Sequence, residues 1–142
     1  MRFWDTSALV PLFVGEASSD AVLQLYRADP VIVVAWTTVI ECVSACVRRH
    51  RARQISDREA AAILARLREL RGQWNVAEPT VEVRATAERL VASHGLRAGD
   101  AVQLASALAT ADGREAELEI VCLDRRLADV AAAEGLQVVP LS

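Results

Sequence analysis

Short apolar segments alternate with amphipathic helical segments along the chain, and this alternation constrains the fold more than any other feature. Runs rich in apolar residues predict buried strands at residues 2–4, 31–35, 74–77, 120–123 and 137–139. Strands that are joined through helices run parallel, and the helices then cover both faces of the sheet. The sequence therefore predicts an α/β fold with a parallel sheet of about five strands, flanked by helices on both faces.

Helical periodicity fills the intervals between these strands, at residues 19–28, 37–49, 56–70, 81–94, 100–109 and 125–134. In residues 37–49, apolar side chains recur at the i, i+3, i+4, i+7 spacing of an amphipathic helix. Ser56 and Glu59 predict a capping box at the start of the third helix. Gly95 and Gly135 follow the fourth and sixth helices and are expected to terminate them.

The length and composition of the chain fit one compact domain covering residues 1–142. The chain has 142 residues and 53% of them are hydrophobic, so it can bury a core and is not expected to be disordered. No apolar run approaches the roughly 20 residues of a membrane span, and no secretory signal is evident, so we expect a cytoplasmic protein. Cys42, Cys46 and Cys122 are expected to be buried, reduced thiols rather than zinc ligands.

Four carboxylates occupy positions that a parallel sheet would bring to one edge. Asp5 and Asp124 directly follow predicted strands, Glu41 lies in the first turn of a helix after the second strand, and Asp100 begins a later helix. Ligands of such sheets bind beyond the carboxyl ends of the strands. Each residue also has a structural explanation, since the three aspartates can be helix N-caps and Glu41 can form a capping box with Thr38. Converging carboxylates repel one another unless a cation intervenes, so together they favour a site for Mg²⁺ or Mn²⁺.

Four motifs surround these carboxylates. They are D-T-S-A-L beginning at Asp5, Glu41 within an apolar helix, L-R-A-G-D-A containing Asp100, and L-D-R-R-L containing Asp124. In this order they resemble the motifs of PIN-domain ribonucleases, specifically the VapC-type toxins of type II toxin–antitoxin systems. The segment E-G-L-Q-V-V at residues 134–139 also matches the family's last helix and strand, so the resemblance covers almost the whole chain.

The resemblance implies a single PIN-like domain that acts as a metal-dependent endoribonuclease. It implies Asp5, Glu41, Asp100 and Asp124 as catalytic residues, and Asp5, Asp100 and Asp124 as ligands of Mg²⁺ or Mn²⁺. The chemistry is then in-line attack by metal-activated water on RNA, with 5′-phosphate and 3′-hydroxyl products implied by the family. Glu41 and Asp124 are both candidates for orienting or deprotonating that water.

The resemblance also implies partners. These are an RNA substrate, a VapB-like antitoxin whose C-terminal segment lies along the active-site groove, and a second copy of the chain in a homodimer. Apolar residues of the helices around 39–47 and 63–70 can supply the dimer contact, although core packing explains the same residues. Thr6 or Ser7 can orient Asp5 by hydrogen bonding, and turn or capping roles explain them equally well.

Arginines are the candidates for binding RNA, because an acidic pocket repels phosphate and the chain contains no lysine. The candidates are Arg97, Arg125, Arg126 and the four arginines of residues 48–53, and solvation is the alternative for each. Trp4, Trp36 and Trp74 lie in or beside predicted strands and are assigned to the core, so no aromatic stacking platform is expected. Asp129 is assigned to the surface.

One position departs from the family pattern, and two other functions are compatible with the sequence. Cys122 stands where relatives often carry serine or threonine, and a thiol is a weaker hydrogen-bond donor. A phosphatase could use Asp5 as its nucleophile, but Ser7 occupies the third position of the usual Asp-x-Asp motif. A catalytically weak PIN-like domain could instead use its acidic pocket to bind an antitoxin or another arginine-bearing segment.

Overall fold

The computed structural model describes residues 1–15 and 17–141, and it contains the predicted parallel sheet. The strands are β1 (Arg2–Trp4), β2 (Ile32–Ala35), β3 (Asn75–Ala77), β4 (Glu119–Val121) and β5 (Gln137–Val138). All are parallel and lie in the order β3-β2-β1-β4-β5, so β1 is central, with β2 and β4 beside it. The five predicted strands are confirmed, and their ends differ from the prediction by at most two residues.

Helices connect the strands throughout the described part of the chain. They are α1 (Thr6–Leu9), α2 (Ser19–Ala28), α3 (Thr38–Arg51), α4 (Asp57–Arg71), α5 (Val81–His94), α6 (Ala98–Ala111) and α7 (Arg125–Ala133). The six predicted helices are confirmed, and α1 is an additional short helix that begins directly after β1. No helix within residues 1–15 and 17–141 combines the length and apolar character that crossing a membrane requires.

Several predicted helix ends are also confirmed. The Ser56 hydroxyl accepts from the backbone N–H of Glu59, and the Glu59 carboxylate accepts from that of Ser56, each at 3.1 Å, which is the capping box of α4. Gly95 ends α5 in the left-handed conformation, with φ of 67°, where a residue without Cβ is favoured. Gly135 follows α7 with φ of 98°.

Two capping predictions are wrong. The predicted capping box of Thr38 with Glu41 does not form, because α3 begins at Thr38 itself and its N-cap, Thr37, makes no side-chain cap. The Thr38 hydroxyl is instead buried beside Gln103. Asp100 is not the N-cap of α6, because that helix begins two residues earlier. Asp100 therefore lies inside the first turn of α6, where the helix dipole favours a negative charge.

The core consists of two apolar clusters on opposite faces of the sheet. Successive strand residues point to opposite faces, so Phe3 of β1 joins one cluster and Trp4 the other. Val33 and Val34 of β2 divide in the same way. Helices α1–α4 supply the Trp4 cluster and α5–α7 supply the Phe3 cluster, so helices cover both faces as predicted. Because β1 is buried on both faces, it holds the backbone of the residue that follows it, Asp5, in a fixed position.

The predicted burial is confirmed for two of the three tryptophans and for all three cysteines. Trp4 and Trp74 are buried, but the assignment of Trp36 to the core is wrong, since its exposed fraction is 54%. β2 ends at Ala35, so Trp36 lies beyond the end of the sheet. The three cysteines are free and buried, as predicted.

Candidate active site

The strand order brings the candidate carboxylates to one edge of the sheet. Asp5 follows β1, Glu41 lies on the helix after β2, and Asp124 follows β4, and these are the three adjacent central strands. Asp100 is added from the first turn of α6. The charges of Glu41 and Asp100 raise the pKa of Asp5, and the charge of Asp124 raises the pKa of Asp100, so the four groups interact electrostatically.

Asp5 is a buried carboxylate at the end of the central strand, with an exposed fraction of 4%. Its backbone N–H donates to the carbonyl of Val121 at 3.0 Å, which ties the end of β1 to the end of β4. Its Oδ2 accepts from Ser7 twice, from the backbone N–H at 3.1 Å and from Oγ at 2.5 Å. Burial raises the pKa of the Asp5 carboxyl, and the bonds from Ser7 oppose that rise. Asp5 is therefore both the N-cap of α1 and a buried charge near other negative charges.

Ser7 links Asp5 to the segment that carries Asp124. The Ser7 Oγ accepts from the backbone N–H groups of Leu123, at 2.9 Å, and Asp124, at 3.3 Å, while it donates to Asp5. Asp124 in turn caps α7, because its Oδ1 accepts from the Leu127 N–H at 3.0 Å. Of the two hydroxyl residues considered for orienting Asp5, Ser7 is hydrogen-bonded to it, and Thr6 instead accepts from Gln103.

Glu41 is held through one of its two oxygens. Its Oε1 accepts from the Thr37 hydroxyl at 3.2 Å and from the Gln103 side-chain amide at 3.0 Å. Sequence reasoning missed Gln103, which is fully buried on α6. The available signal was a glutamine in a helix whose other buried positions are mostly alanine and leucine, one turn beyond Asp100.

Asp100 lies among charges of both signs. Burial and the charge of Asp124 raise the pKa of its carboxyl, whereas Arg97 and Arg126 lower it. The guanidinium of Arg126 also donates to the carbonyl of Gly95 at 2.8 Å, which fixes this arginine beside the loop before α6. Two of the arginines that the sequence suggested for RNA binding therefore act on Asp100.

Cys122 lies against the Asp5 carboxylate. Its Sγ is 3.3 Å from the carbonyl oxygen of Asp124 and 3.7 Å from Oδ2 of Asp5. Burial, followed by the negative charge of Asp5, raises the pKa of the Cys122 thiol to about 12. The thiol is therefore protonated at neutral pH and can donate to one of these oxygens at a time.

The charges of the four carboxylates act on one another, but the predicted convergence on a metal ion is not formed by these side chains. Within residues 1–15 and 17–141, no three His, Cys, Asp or Glu side chains form a ready-made set of metal ligands. Three of the carboxylates have other contacts, since Ser7 donates to Asp5, Gln103 donates to Glu41, and Asp124 caps α7. The donor chemistry still fits a hard divalent cation, because every candidate ligand is a carboxylate and a cation would relieve the repulsion among them.

A cleft of about 370 Å³ opens beside Glu41. Its lining residues are Thr6, Ser7, Val10, Glu41, Ser44, Ala45, Arg48 and Arg49. Arg48 donates to the Ser44 hydroxyl at 2.8 Å, and Arg49 donates to the Ala45 carbonyl at 3.1 Å. Two arginines of the basic cluster at residues 48–53 therefore line the same cleft as Glu41, at a position suited to phosphate.

The family of the chain follows from comparison with known proteins. A family model described as PIN domain matches residues 2–133, so the chain belongs to the PIN-domain family. Within that family it is similar to two Mycobacterium tuberculosis proteins, Ribonuclease VapC45 and Ribonuclease VapC49. Each is 32% identical over 145 residues, which cover 97% of this chain and 94% of the relative. The resemblance to the VapC group is confirmed.

Solved structures show the same fold over the full chain. A toxin–antitoxin complex from Klebsiella pneumoniae contains a chain with a TM-score of 0.69 and 20% identity, covering 100% of this chain and 98% of that one. FitAcB from Neisseria gonorrhoeae has a TM-score of 0.67 and 17% identity, covering 99% and 97%. PAE2754 from Pyrobaculum aerophilum has a TM-score of 0.63 and 23% identity, covering 97% and 88%. The predicted PIN-like α/β fold is confirmed.

Proposed function

We propose that this chain is a metal-dependent endoribonuclease and the toxin of a VapBC-type toxin–antitoxin pair. The observation that carries the proposal is the position of Asp5, Glu41, Asp100 and Asp124 at one edge of the central strands. Burial and neighbouring carboxylates raise the pKa of Asp5 and of Asp100 there, which supports it. Such a site in a PIN-domain relative of two VapC ribonucleases suits phosphodiester hydrolysis. The proposal includes one domain over residues 1–142 and a cytoplasmic location.

Asp5, Asp100 and Asp124 are the residues that we propose to hold Mg²⁺ or Mn²⁺. When bound, the ion would supply a water nucleophile at neutral pH and neutralise charge on the phosphate. Asp5 is the most constrained of the three, because a strand end and two bonds from Ser7 fix it. The three proposed ligands are all carboxylates, and oxygen donors suit these hard cations.

The other groups of the site have distinct tasks in this proposal. Oε1 of Glu41 is occupied by Thr37 and Gln103, so Oε2 is the oxygen that accepts a proton from the attacking water. Arg48 and Arg49 of the cleft, and Arg97 and Arg126 beside Asp100, bind phosphates along the RNA. They balance a site whose own carboxylates would repel the substrate.

RNA cleavage is expected to require both a divalent ion and Asp100. On a panel of labelled RNAs, we expect cleavage with Mn²⁺ or Mg²⁺ and none with a chelator. Asp100→Asn should cleave at least about 100-fold more slowly, because it removes a proposed ligand of the ion that neutralises the phosphate. Gel electrophoresis with end-labelled RNA also checks for 5′-phosphate and 3′-hydroxyl products.

The matched control is Asp129→Asn, which removes an exposed carboxylate farther along α7 and should cleave like the wild type. All proteins are purified identically. Equal cleavage by Asp100→Asn and wild type would point to a contaminating nuclease and contradict the proposal. A folded wild type that cuts nothing on the panel would favour a catalytically weak domain that mainly binds its antitoxin.

We also propose a homodimer, formed through an exposed apolar surface at the start of α3. We call the exposed side chains of Trp36, Ile40, Val43 and Val76 the α3 patch, and their exposed fractions are 54%, 60%, 37% and 45%. Exposed apolar residues that adjoin one another mark interaction sites. A second copy fits the expected VapC assembly, while the proposed antitoxin segment, being arginine-bearing, is assigned to the acidic edge.

Ile40→Arg is expected to convert the dimer to a monomer, because a charge placed inside an apolar interface is desolvated without a partner. Light scattering after size-exclusion chromatography measures the mass. Val91→Arg is the control, since Val91 is an exposed valine on α5, which packs on the opposite face of the sheet. A wild type that is monomeric, or an Ile40→Arg protein that stays dimeric, would contradict the α3 patch as the contact.

A further inference from the structure

Gln103 is a polar side chain at a position where packing alone would favour leucine. It lies in the middle of α6 with an exposed fraction of 0%, beside buried Leu104 and Ala107. Burying an amide costs free energy unless its hydrogen bonds are formed, by about 1–3 kcal/mol in proteins. The hydrogen bonds that Gln103 forms must therefore offset the cost of burying its amide.

Those groups come from two other helices, α1 and α3. The Gln103 Nε2 lies 3.0 Å from Glu41 Oε1, 3.0 Å from the Thr38 hydroxyl and 3.3 Å from the Thr6 hydroxyl. The Gln103 Oε1 lies 3.4 Å from the same Thr38 hydroxyl. The amide thus joins α1, α3 and α6 at the point where each contributes to the site.

The orientation of this amide follows from the chemistry of Glu41. A carboxylate only accepts hydrogen bonds, so the nitrogen of Gln103, rather than its oxygen, must face Glu41. One amide hydrogen goes to Glu41, because a bond to a charged acceptor is the stronger one. The second hydrogen is shared between the two threonine hydroxyls.

We propose that Gln103 is a positioning residue for the endoribonuclease reaction, acting by fixing Oε1 of Glu41 so that Oε2 faces the cleft. This inference rests on the proposed function. It also couples Glu41 to Asp100, because Gln103 and Asp100 are one turn apart on α6.

A neutral donor suits this place better than a charged one. An arginine or lysine would neutralise Glu41 and compete with a cation at the site, whereas a glutamate would add one more negative charge to it. An amide holds the carboxylate and leaves its charge available. Leucine would pack as well as glutamine, but it would leave Glu41 Oε1 with only the Thr37 hydroxyl.

A double-mutant cycle with Glu41 tests the proposal. Gln103→Leu, which keeps the volume, and Gln103→Glu, which keeps the shape, are each expected to lower kcat by about 10–50-fold with little change in KM, as for a group that orients another. In a Glu41→Gln background, the same changes should alter the rate less than about twofold, since the group being positioned is already disabled. Melting temperatures identify any variant that fails to fold. A purely structural role would instead give equal rate losses in both backgrounds, which would overturn the proposal, and so would a wild-type rate for folded Gln103→Glu.

An NMR measurement separates this proposal from the proposed function. In ¹H–¹⁵N spectra, the Gln103 side-chain amide protons are expected to exchange slowly with solvent, and their resonances should move in Glu41→Gln but not in Asp124→Asn. If the wild type cuts no RNA while these resonances respond to Glu41, the contact stands and the proposed function fails. If they do not respond to Glu41, the role of Gln103 fails, whatever the RNA result.

Discussion

Asp5→Asn is expected to abolish RNA cleavage and, in the absence of divalent metal, to raise the melting temperature. Loss of cleavage by at least about 10³-fold is expected, because the substitution removes the proposed metal ligand at the centre of the site. The gain in stability follows from relief of a buried charge, since burial, Glu41 and Asp100 raise the pKa of the Asp5 carboxyl. Asparagine keeps an oxygen that can accept from Ser7, so the N-cap of α1 is retained. A rise of about 3 °C corresponds to roughly 1 kcal/mol for a chain of this size.

The pH dependence of that gain has a defined sign. A carboxyl whose folded-state pKa is raised destabilises the folded protein when it is ionised, so the wild type loses stability as pH rises from 3.8, the ordinary value, through the raised one. The advantage of Asp5→Asn should therefore be largest above the raised pKa and disappear below the ordinary value. Melting curves in chelator at a series of pH values measure it.

Two comparisons sharpen the experiment. Adding Mn²⁺ should raise the melting temperature of the wild type more than that of Asp5→Asn, because only the former retains the full ligand set. Asp29→Asn should show no gain, since a hydrogen bond from the amino-terminal group lowers the pKa of Asp29. A destabilised Asp5→Asn protein at pH 7 in chelator would mean that the hydrogen bonds from Ser7 outweigh the repulsion.

The positions of Asp5, Glu41 and Asp124 at the sheet edge were predictable because they depend on local patterns. Each follows a short apolar run, and residues after parallel strands share one edge. The contacts between them were not predictable from those patterns. They depend on β1 lying between β2 and β4, which is a matter of long-range pairing. The fold class could therefore be predicted from alternation alone, whereas the approach of the four charges required the strand order.

The predictions that the structure contradicts fail because tertiary contacts compete for the same side chains. Thr38 stands three residues before Glu41, as a capping residue would, but its hydroxyl is buried and accepts a hydrogen bond from Gln103 instead. Trp36 extends an apolar run, yet β2 ends before it and the side chain projects from the α3 patch. Gln103 was not predicted as a site residue because the sequence of an apolar helix does not reveal which groups on α1 and α3 a single buried amide will contact. Local propensity limits the contacts that a residue can form, and tertiary packing determines which of those contacts it forms.

Ser7→Ala is expected to lower both the stability and the activity of the protein, in contrast to Asp5→Asn. The Ser7 hydroxyl donates to Asp5 and accepts from the N–H groups of Leu123 and Asp124. Alanine removes all three bonds and leaves partly buried groups without partners, at about 1–3 kcal/mol for each one that is fully desolvated. We expect a net loss of about 2–3 kcal/mol, measured by urea unfolding with an unchanged m-value.

The loss of activity should exceed what the unfolded fraction explains. Without the hydroxyl, Asp5 and the backbone of Asp124 lose the atom that bridges them. Losing a hydrogen bond that positions a metal ligand typically costs about 10–100-fold in activity or metal affinity, and we expect a decrease of about 10–100-fold in the cleavage rate. Rates are compared well below the melting temperature, where the variant is folded. Ser7→Thr keeps the hydroxyl and should recover most of both losses. Wild-type cleavage by folded Ser7→Ala would show that Asp5 is positioned without the Ser7 hydroxyl. Both variants are expected to lose activity, but Asp5→Asn should be more stable than the wild type and Ser7→Ala less stable. Comparing them therefore distinguishes the effect of the Asp5 charge from the effect of the hydrogen bonds that position it.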